Sequence, residues 1–510
     1  MKNLFCKNFW AMKVLALLVL VVMAGRGDVM GQTGSKHNDG YLCTFKITSA
    51  STLANTGTAI LIEEYLPTDA NQSSPNFTVT VPSATGNKVV VSGTATSSGE
   101  ISRSENGRFI LIPGYNALVG DANTTFTTNG TVRTLNGSGT IGAGINAGGT
   151  LWLSANNNLR GATSDDGTNY WISGGSTGIQ ATSNGTTITT VSTTSTNTRA
   201  IAIFNGQLFY STGSGTNGIY SIYNSSPKPI IAGTSNATLA APSTAPYGFS
   251  ISPDGLTIYA YSSANNISRF TYSGSYTPES SIPYSGGSWS SASTGFVLTG
   301  ALGVAVDWTG YSFSTGSNGA KIYACNPTIL VVGNDNGIGA ITTTTLRTIT
   351  GNNAFRGLAF SPIKQTVSKG ANTPATGNLD LGLSNAPLFQ FNLSADEGNS
   401  TIKKIILNQG GTATIGSSNS ISNFRLYSDP NGDGSIADGS LLSNGSVSGS
   451  NITFSGISLS TYIVESTSNN FIVIGDISAT GNGTFIPSIL SDKTINSISY
   501  TTNLVNAGGS

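Results

Sequence analysis

Charge is what this chain has least of: 9% of its 510 residues are Asp, Glu, Lys or Arg, 23 of each sign. No basic cluster stands out, which argues against nucleic acid as a partner, because that binding depends on neutralising phosphates. Histidine is scarcer still. The one imidazole, His37, lies in a polar stretch near the N-terminus, so a Ser-His-Asp triad or a histidine-metal centre has nothing to be built from. Long apolar runs are also missing. The apolar run near the N-terminus, 14–22, is nine residues, too short to span a bilayer.

That run follows Lys2, Lys7 and Lys13 and precedes the small residues Ala24 and Gly25, the order of a secretory signal peptide. A retained anchor is the alternative. Removing 1–24 takes away three lysines and no acids, so 23 against 23 becomes 20 against 23 and the mature charge is near −3. Cys6 leaves with the signal. Cys43 and Cys325 remain, and an oxidising compartment is compatible with a disulfide between them or with two buried thiols.

Glycine is abundant, 64 residues, with Ser, Thr and Asn where Lys and Glu usually sit. Together with recurring Ile, Leu, Val and aromatics this is a β-rich, turn-rich exported composition rather than a disordered one. The grammar is clearest at 197–222, NTRAIAIFNGQLFYSTGSGTNGIYSI. Two apolar runs flank Asn205-Gly206, a pair that favours a tight hairpin turn. That hairpin's first apolar strand begins at 200, its relatives begin near 101, 161, 248 and 303, and a half-copy, FRGLAFSP (355–362), begins the pattern again at 357. The starts are 60, 39, 48, 55 and 54 residues apart, the spacing of β-propeller blades. About 320 residues divided by about 46 per blade predicts about seven blades, within six to eight. The half-copy needs partners, and the strand near 42–47 has the character to close the ring with it.

The segments ILIEEYLP (60–67), SGTATSSGEISRSENGRFILIPGY (92–115), DDGTNYWISGG (165–175), TNTRAIAIFNGQLFYSTGSGT (196–216), PYGFSISPDGLTIYAYS (246–262) and NNAFRGLAFSP (352–362) resemble, in this order, a family of exported bacterial β-propeller proteins of uncharacterised function. The resemblance covers 41–362 and implies a fold and an export route; it carries no catalytic residues. The family more often has Asp at the place of Glu63 and Glu at that of Ser98.

Residues 363–385 are poor in large apolar side chains and read as a linker. Beyond them, strand-length apolar segments at 387–393, 402–409, 424–427, 452–457, 471–477 and 485–490 predict an antiparallel sandwich of immunoglobulin-like size over 386–510. FRLYSDPNGDGS (424–435) resembles the β-sandwich modules at the ends of secreted bacterial surface proteins. The expected organisation is a signal peptide (1–24), a polar tail (25–40), a propeller (41–362), a linker (363–385) and a β-sandwich (386–510).

Four groups of residues are candidates for function. DPNGDGSIADGS (429–440) places Asp429, Asn431 and Asp433 at alternate positions before Gly434, as in the first half of an acidic calcium loop, with Ser435 and Asp438 as further oxygens. Ser440 stands where the closing carboxylate would be, and a plain Asn/Asp/Gly turn is the alternative. Arg160, Arg199 and Arg356 hold near-equivalent places at the starts of three blades, where a guanidinium ring could bind a carboxylate or sulfate; arginines bonding backbone carbonyls would look the same. Glu63 and Glu64, adjacent on a strand, face opposite sides, either anchoring a blade or sending one carboxylate into the channel. Trp152, Trp171, Trp289 and Trp308 could stack on sugars or pack between blades. The expectation is a secreted or cell-surface monomer, without enzymatic activity, that binds an extracellular protein or glycan. Its propeller face is the recognition surface and its C-terminal module a spacer or attachment. The alternative is a glycan hydrolase or lyase with two acids at the channel mouth.

Overall fold

The computed structural model describes residues 36–510 except 85–87, 123–129, 147–157, 177, 184, 186, 194, 232–235, 239–245, 263–265, 312–317, 338–339, 374–379, 403, 418, 458–461, 490–501 and 505–510. The signal peptide, residues 25–35 and Trp152 lie outside that set. Among the described residues there is no helix, and none is long and apolar enough to cross a membrane.

The Asn205-Gly206 turn behaves as its residue types require. Both have positive φ, 47° and 76°, and Phe204 faces Gln207 across the hairpin, the geometry of a tight primed turn. The strands on either side, Thr198–Phe204 and Gln207–Thr212, continue into Gly218–Ile222 and Asn236–Thr238 to make one four-stranded blade.

Six blades form among the described residues, not about seven. Their innermost strands are Ser102–Arg103, Leu159–Ser164, Thr198–Phe204, Pro246–Ile251, Gly303–Tyr311 and Asn353–Phe360. The count of seven presumed compact blades. Here the fourth carries an inserted ribbon, Ser275–Tyr276 with Tyr284–Ser285, so chain length overcounts while the six hairpin starts count correctly. The ring closes as expected: Leu42–Thr48 pairs antiparallel with Asn353–Phe360, Leu42 opposite Phe360 and Thr48 opposite Asn353. The last blade therefore takes its inner strand from the end of the propeller sequence and its outer three from the beginning. Close packing at the axis needs small residues. A Cβ on Gly357 would stand 2.1 Å from Gly99 O, so only glycine lets the sixth inner strand lie against the chain entering the first blade.

The strands of the C-terminal region connect into one curled sheet. Nine strands follow in the order Pro487–Ile489, Lys404–Gln409, Asn451–Ser455, Leu441–Ser448, Ile421–Ser428, Thr467–Ile477, Ala386–Glu397, Lys364–Lys369 and Thr502–Leu504. The curl occurs at Leu441–Ser448, which pairs with Ile421–Ser428 through 441–444 and with Asn451–Ser455 through 445–448. Wrapped this way, the sheet encloses a single core with Phe391, Phe424, Leu426, Phe454 and Phe471. The stretch expected as a linker opens with one of the strands, Lys364–Lys369, whose Val367 is in that core.

The start of the described chain is threaded between propeller and C-terminal sheet. His37 N–H donates to Gly137 O (2.9 Å) on one side, and His37 O accepts from Asn399 N (2.8 Å) on the other. Arg108 of the propeller forks onto Glu397 of the sheet, Nε lying 3.0 and 3.1 Å from the two carboxylate oxygens. Ser138 and Lys36 both meet Glu465.

Candidate functional site

Inner strands of a propeller run side by side along the axis, so residues at their starts collect at one mouth of the channel. The starts here bring together Glu100, Arg160, Arg199 and Tyr247. Glu100 N–H donates to Arg160 O (3.1 Å) where the first and second blades meet. Below them the channel is a cavity of about 210 Å³, lined by apolar side chains such as Ile201, Phe249, Val304 and Leu358, with Glu100 and Arg103 as its charged members. That volume is under the roughly 300–1,000 Å³ of pockets that enclose a drug-sized ligand. It takes a small group, not a whole molecule.

Arg199 is held as a fixed cation. Its guanidinium carbon lies 3.7 Å from the centroid of the Tyr247 ring, a cation–π contact. A methyl on Gly213 would come within 2.7 Å of its Nη2, so the glycine is the slot the side chain occupies. Nε and Nη1 of Arg199 are buried and make no hydrogen bond. Arg160 donates from Nη1 to Asn197 Oδ1 and to Thr198 O (3.3 Å), and its Nε is unpartnered. Burial and the neighbouring Arg199 charge push its pKa down to about 10 against the opposing pull of Tyr247, Tyr115 and Glu100, so it stays charged at neutral pH. Glu100 is buried and its Oε1 lacks a partner. Burial lifts its pKa well above the ordinary carboxyl range, and Arg199 and Arg160 only partly offset that. The mouth therefore sets two guanidinium groups beside a carboxyl whose charged form burial disfavours.

The third arginine does different work. Arg356 is buried and donates from Nη2 to Gly93 O (2.9 Å) and from Nη1 to Phe355 O (3.2 Å), the carbonyl-bonding alternative. The three-arginine ring becomes an Arg160–Arg199 pair with Glu100, a residue the sequence reading passed over.

Glu63 and Glu64 lie on the third strand out from the axis and anchor their blade. Glu63 accepts from Lys46 Nζ (2.5 Å) and Tyr65 Oη (2.6 Å). Glu64 accepts from Asn38 N (2.9 Å), Asn38 Nδ2 (3.0 Å), Asn76 Nδ2 (2.9 Å) and Ser361 Oγ (2.6 Å), and its Oε2 is 2.9 Å from His37 Nδ1. His37 is thus no free tail residue: with Cys43, 3.5 Å from the same nitrogen, it is fully buried. Burial alone would lower the imidazole's pKa, but the Cys43 sulfur and the Glu64 carboxylate raise it to about 10. Glu64 moves the other way, its burial outweighed by hydrogen bonds from His37, Ser361 and Asn38. The signal that could have placed His37 is the run His37-Asn38-Asp39-Gly40, a turn-forming sequence directly ahead of the first strand.

Cys43 and Cys325 are free, buried thiols. They belong to different core clusters, Cys43 with Phe45 and Ile47, Cys325 with Leu330 and Tyr323, which is why no disulfide joins them. Trp171 and Trp308 are buried and donate their indole N–H to Pro229 O (2.7 Å) and Ser250 Oγ (3.1 Å), the packing role. Trp289 joins a cluster with Tyr272 and Tyr284 at 5.1 and 5.0 Å. In the acidic loop, Asp429, Asp433 and Asp438 converge, whereas Asn431 and Ser435 bond within the turn.

The fold and this mouth define the class: a six-bladed β-propeller joined to a curled C-terminal β-sheet. No family model matches the chain, and no curated protein does either. Among solved structures it is similar to a gluconolactonase, XC5397, of Xanthomonas campestris (13% identity, TM-score 0.34, 62% of this chain and 88% of that one). It is also similar to a putative 6-phosphogluconolactonase of Bacteroides uniformis (13%, 0.33, 61% and 84%). The β-propeller domain of Myceliophthora thermophila Cps50 (Swd1) matches at 11% and 0.32, over 59% and 85%. Likeness at this level carries no argument about activity.

Proposed function

We propose that this is an exported binding protein, without enzymatic activity, whose propeller mouth recognises an anionic group, a carboxylate or sulfate, on an extracellular protein or glycan. The C-terminal sheet is its spacer or attachment module. One observation carries the reading: Arg199, clamped between Tyr247 and Gly213, offers two unpartnered buried N–H groups beside Arg160. A guanidinium fixed in advance loses little entropy on binding an oxyanion through charge-assisted hydrogen bonds. The alternative of two catalytic carboxylates gains no support from the cavity, where Glu100 is the one acid among the described lining residues.

The test is a glycan array together with calorimetric titration of simple mono- and dicarboxylates, on the full chain and on Arg199→Ala. The expected result is binding confined to ligands carrying carboxylate or sulfate, weakened about 10–100-fold by the substitution, the loss of one or two charge-assisted hydrogen bonds. Ligands lacking acidic groups, or ligands bound equally by the variant, would overturn it.

A further inference from the structure

Three carboxylates of one loop, those of Asp429, Asp433 and Asp438, present oxygens all within 4.8 Å of one another. Among the described residues none of the three is in a salt bridge. Asp433 and Asp438 are exposed, but Asp429 is fully buried. Its Oδ2 accepts from Gln390 Nε2 (2.6 Å) and Gly434 N (3.1 Å). Its Oδ1 is buried and has no hydrogen-bond partner. A buried carboxylate is tolerated when it is paired or coordinates a metal, and this one has no cation beside it.

The surroundings hold that oxygen in place. Gln390 is itself buried, its Oε1 fixed by Asn372 N (2.6 Å) and its Nε2 shared between Asp429 and Gly432 O (3.0 Å). Asn431 Oδ1 accepts from Asp433 N (3.0 Å), Asp433 Oδ1 accepts from Ser435 N (2.7 Å) and Asp433 Oδ2 from Asn431 Nδ2 (3.0 Å), so Asn431 and Asp433 shape the turn. Such outer-shell bonds orient ligands in built metal sites.

The geometry points to a calcium site formed by Asp429, Asp433 and Asp438. The ligands are all carboxylate oxygens, without thiolate or imidazole, which selects a hard cation over zinc or copper. Calcium accepts irregular geometry and completes its shell with water, as a loop with two exposed ligands demands. Asp438 supplies the closing carboxylate from two residues before the expected place. The bound ion would fasten 429–438 to the curled sheet through Gln390.

The full chain, stripped with chelator and dialysed, is titrated with CaCl2, MgCl2 or NaCl at matched ionic strength, by thermal unfolding and calorimetry. The expected result is a melting temperature that rises with the logarithm of calcium concentration and is unmoved by NaCl. Asp429→Asn should abolish the response. Asp438→Ala removes an exposed group, so it should leave the metal-free melt unchanged and weaken calcium about 10-fold or more. No shift and no heat up to about 10 mM calcium, beyond the weakest extracellular calcium modules, would overturn the site, as would wild-type titration by Asp438→Ala. A response to magnesium but not calcium would overturn the calcium assignment.

Discussion

Replacing His37 by alanine tests whether the N-terminal segment is a clasp or a passenger. His37 and Glu64 are both fully buried, 2.9 Å apart. Removing one partner of a buried pair costs about 3–5 kcal/mol, because the other charge is left uncompensated. Glu64 keeps hydrogen bonds from Asn38 N, Asn38 Nδ2, Asn76 Nδ2 and Ser361 Oγ, which places the expected loss near the low end, about 3 kcal/mol. With an unfolding entropy of about 2.1 cal/mol/K per residue over roughly 320 propeller residues, about 0.7 kcal/mol/K, that is a fall in Tm of about 4–5 °C. The assay is denaturant unfolding of His37→Ala, Glu64→Gln and the double variant. The pair should couple by about 1–3 kcal/mol, the double variant being less destabilised than the sum of the singles. Additivity within about 0.5 kcal/mol would refute the clasp.

The same pair sets a pH window. His37 is raised from 6.5 to about 10 in the folded chain, so its contribution is full below pH 6.5 and is lost as pH climbs towards 10. Glu64 is lowered from 4.5, so its contribution is present above pH 4.5 and is lost as pH falls through its folded value. The stability gap between wild type and His37→Ala should therefore be widest between pH 4.5 and 6.5 and should narrow towards pH 10. A gap constant from pH 5 to 10 would mean that His37 contributes by packing alone.

Two further outcomes follow from the fold. Gly357→Ala should cost about 2–3 kcal/mol by forcing backbone apart at the axis, while Gly410→Ala, whose nearest contact would be Ile486 O at 3.6 Å, should change stability by less than about 0.5 kcal/mol; equal effects on denaturant midpoints would show that the inner strands do not meet that closely. Cys43 and Cys325 should resist a thiol reagent in the native chain, Cys325 doubly so because burial pushes its thiol pKa up. Without reductant, both should titrate after denaturation of a chain lacking 1–24; a count of zero would restore the disulfide.

The blades were legible because their information is local. Asn205-Gly206 needs no tertiary contact to turn, and each of the six hairpin starts announces an inner strand within about ten residues of sequence. Blade number misled only where it was taken from length. The C-terminal curl is different in kind. Alternating apolar residues say that a strand has one buried face and not how many sheets supply the other wall, and the curl depends on Leu441–Ser448 dividing its partners halfway along. Likewise Gln390 stands 39 residues before the Asp429 it orients, and no motif joins them.

The site shows why residue type at a repeat position is not yet function. Arg160-Gly161, Arg199-Ala200 and Arg356-Gly357 look alike along the chain, yet their guanidinium groups have three fates. A residue outside each pair decides which. At Arg356 two backbone carbonyls, Gly93 O and Phe355 O, lie within reach and take Nη2 and Nη1. At Arg160 it is the side chain of Asn197, held at positive φ in the turn before the next blade. At Arg199 the neighbouring place is Gly213, which offers space and no acceptor, and Tyr247 covers the cation without satisfying it. Desolvating N–H groups without partners costs stability, and Arg199 leaves two such nitrogens at the channel mouth, so Arg199 rather than the repeat as a whole is where the proposed recognition of an anion is to be tested.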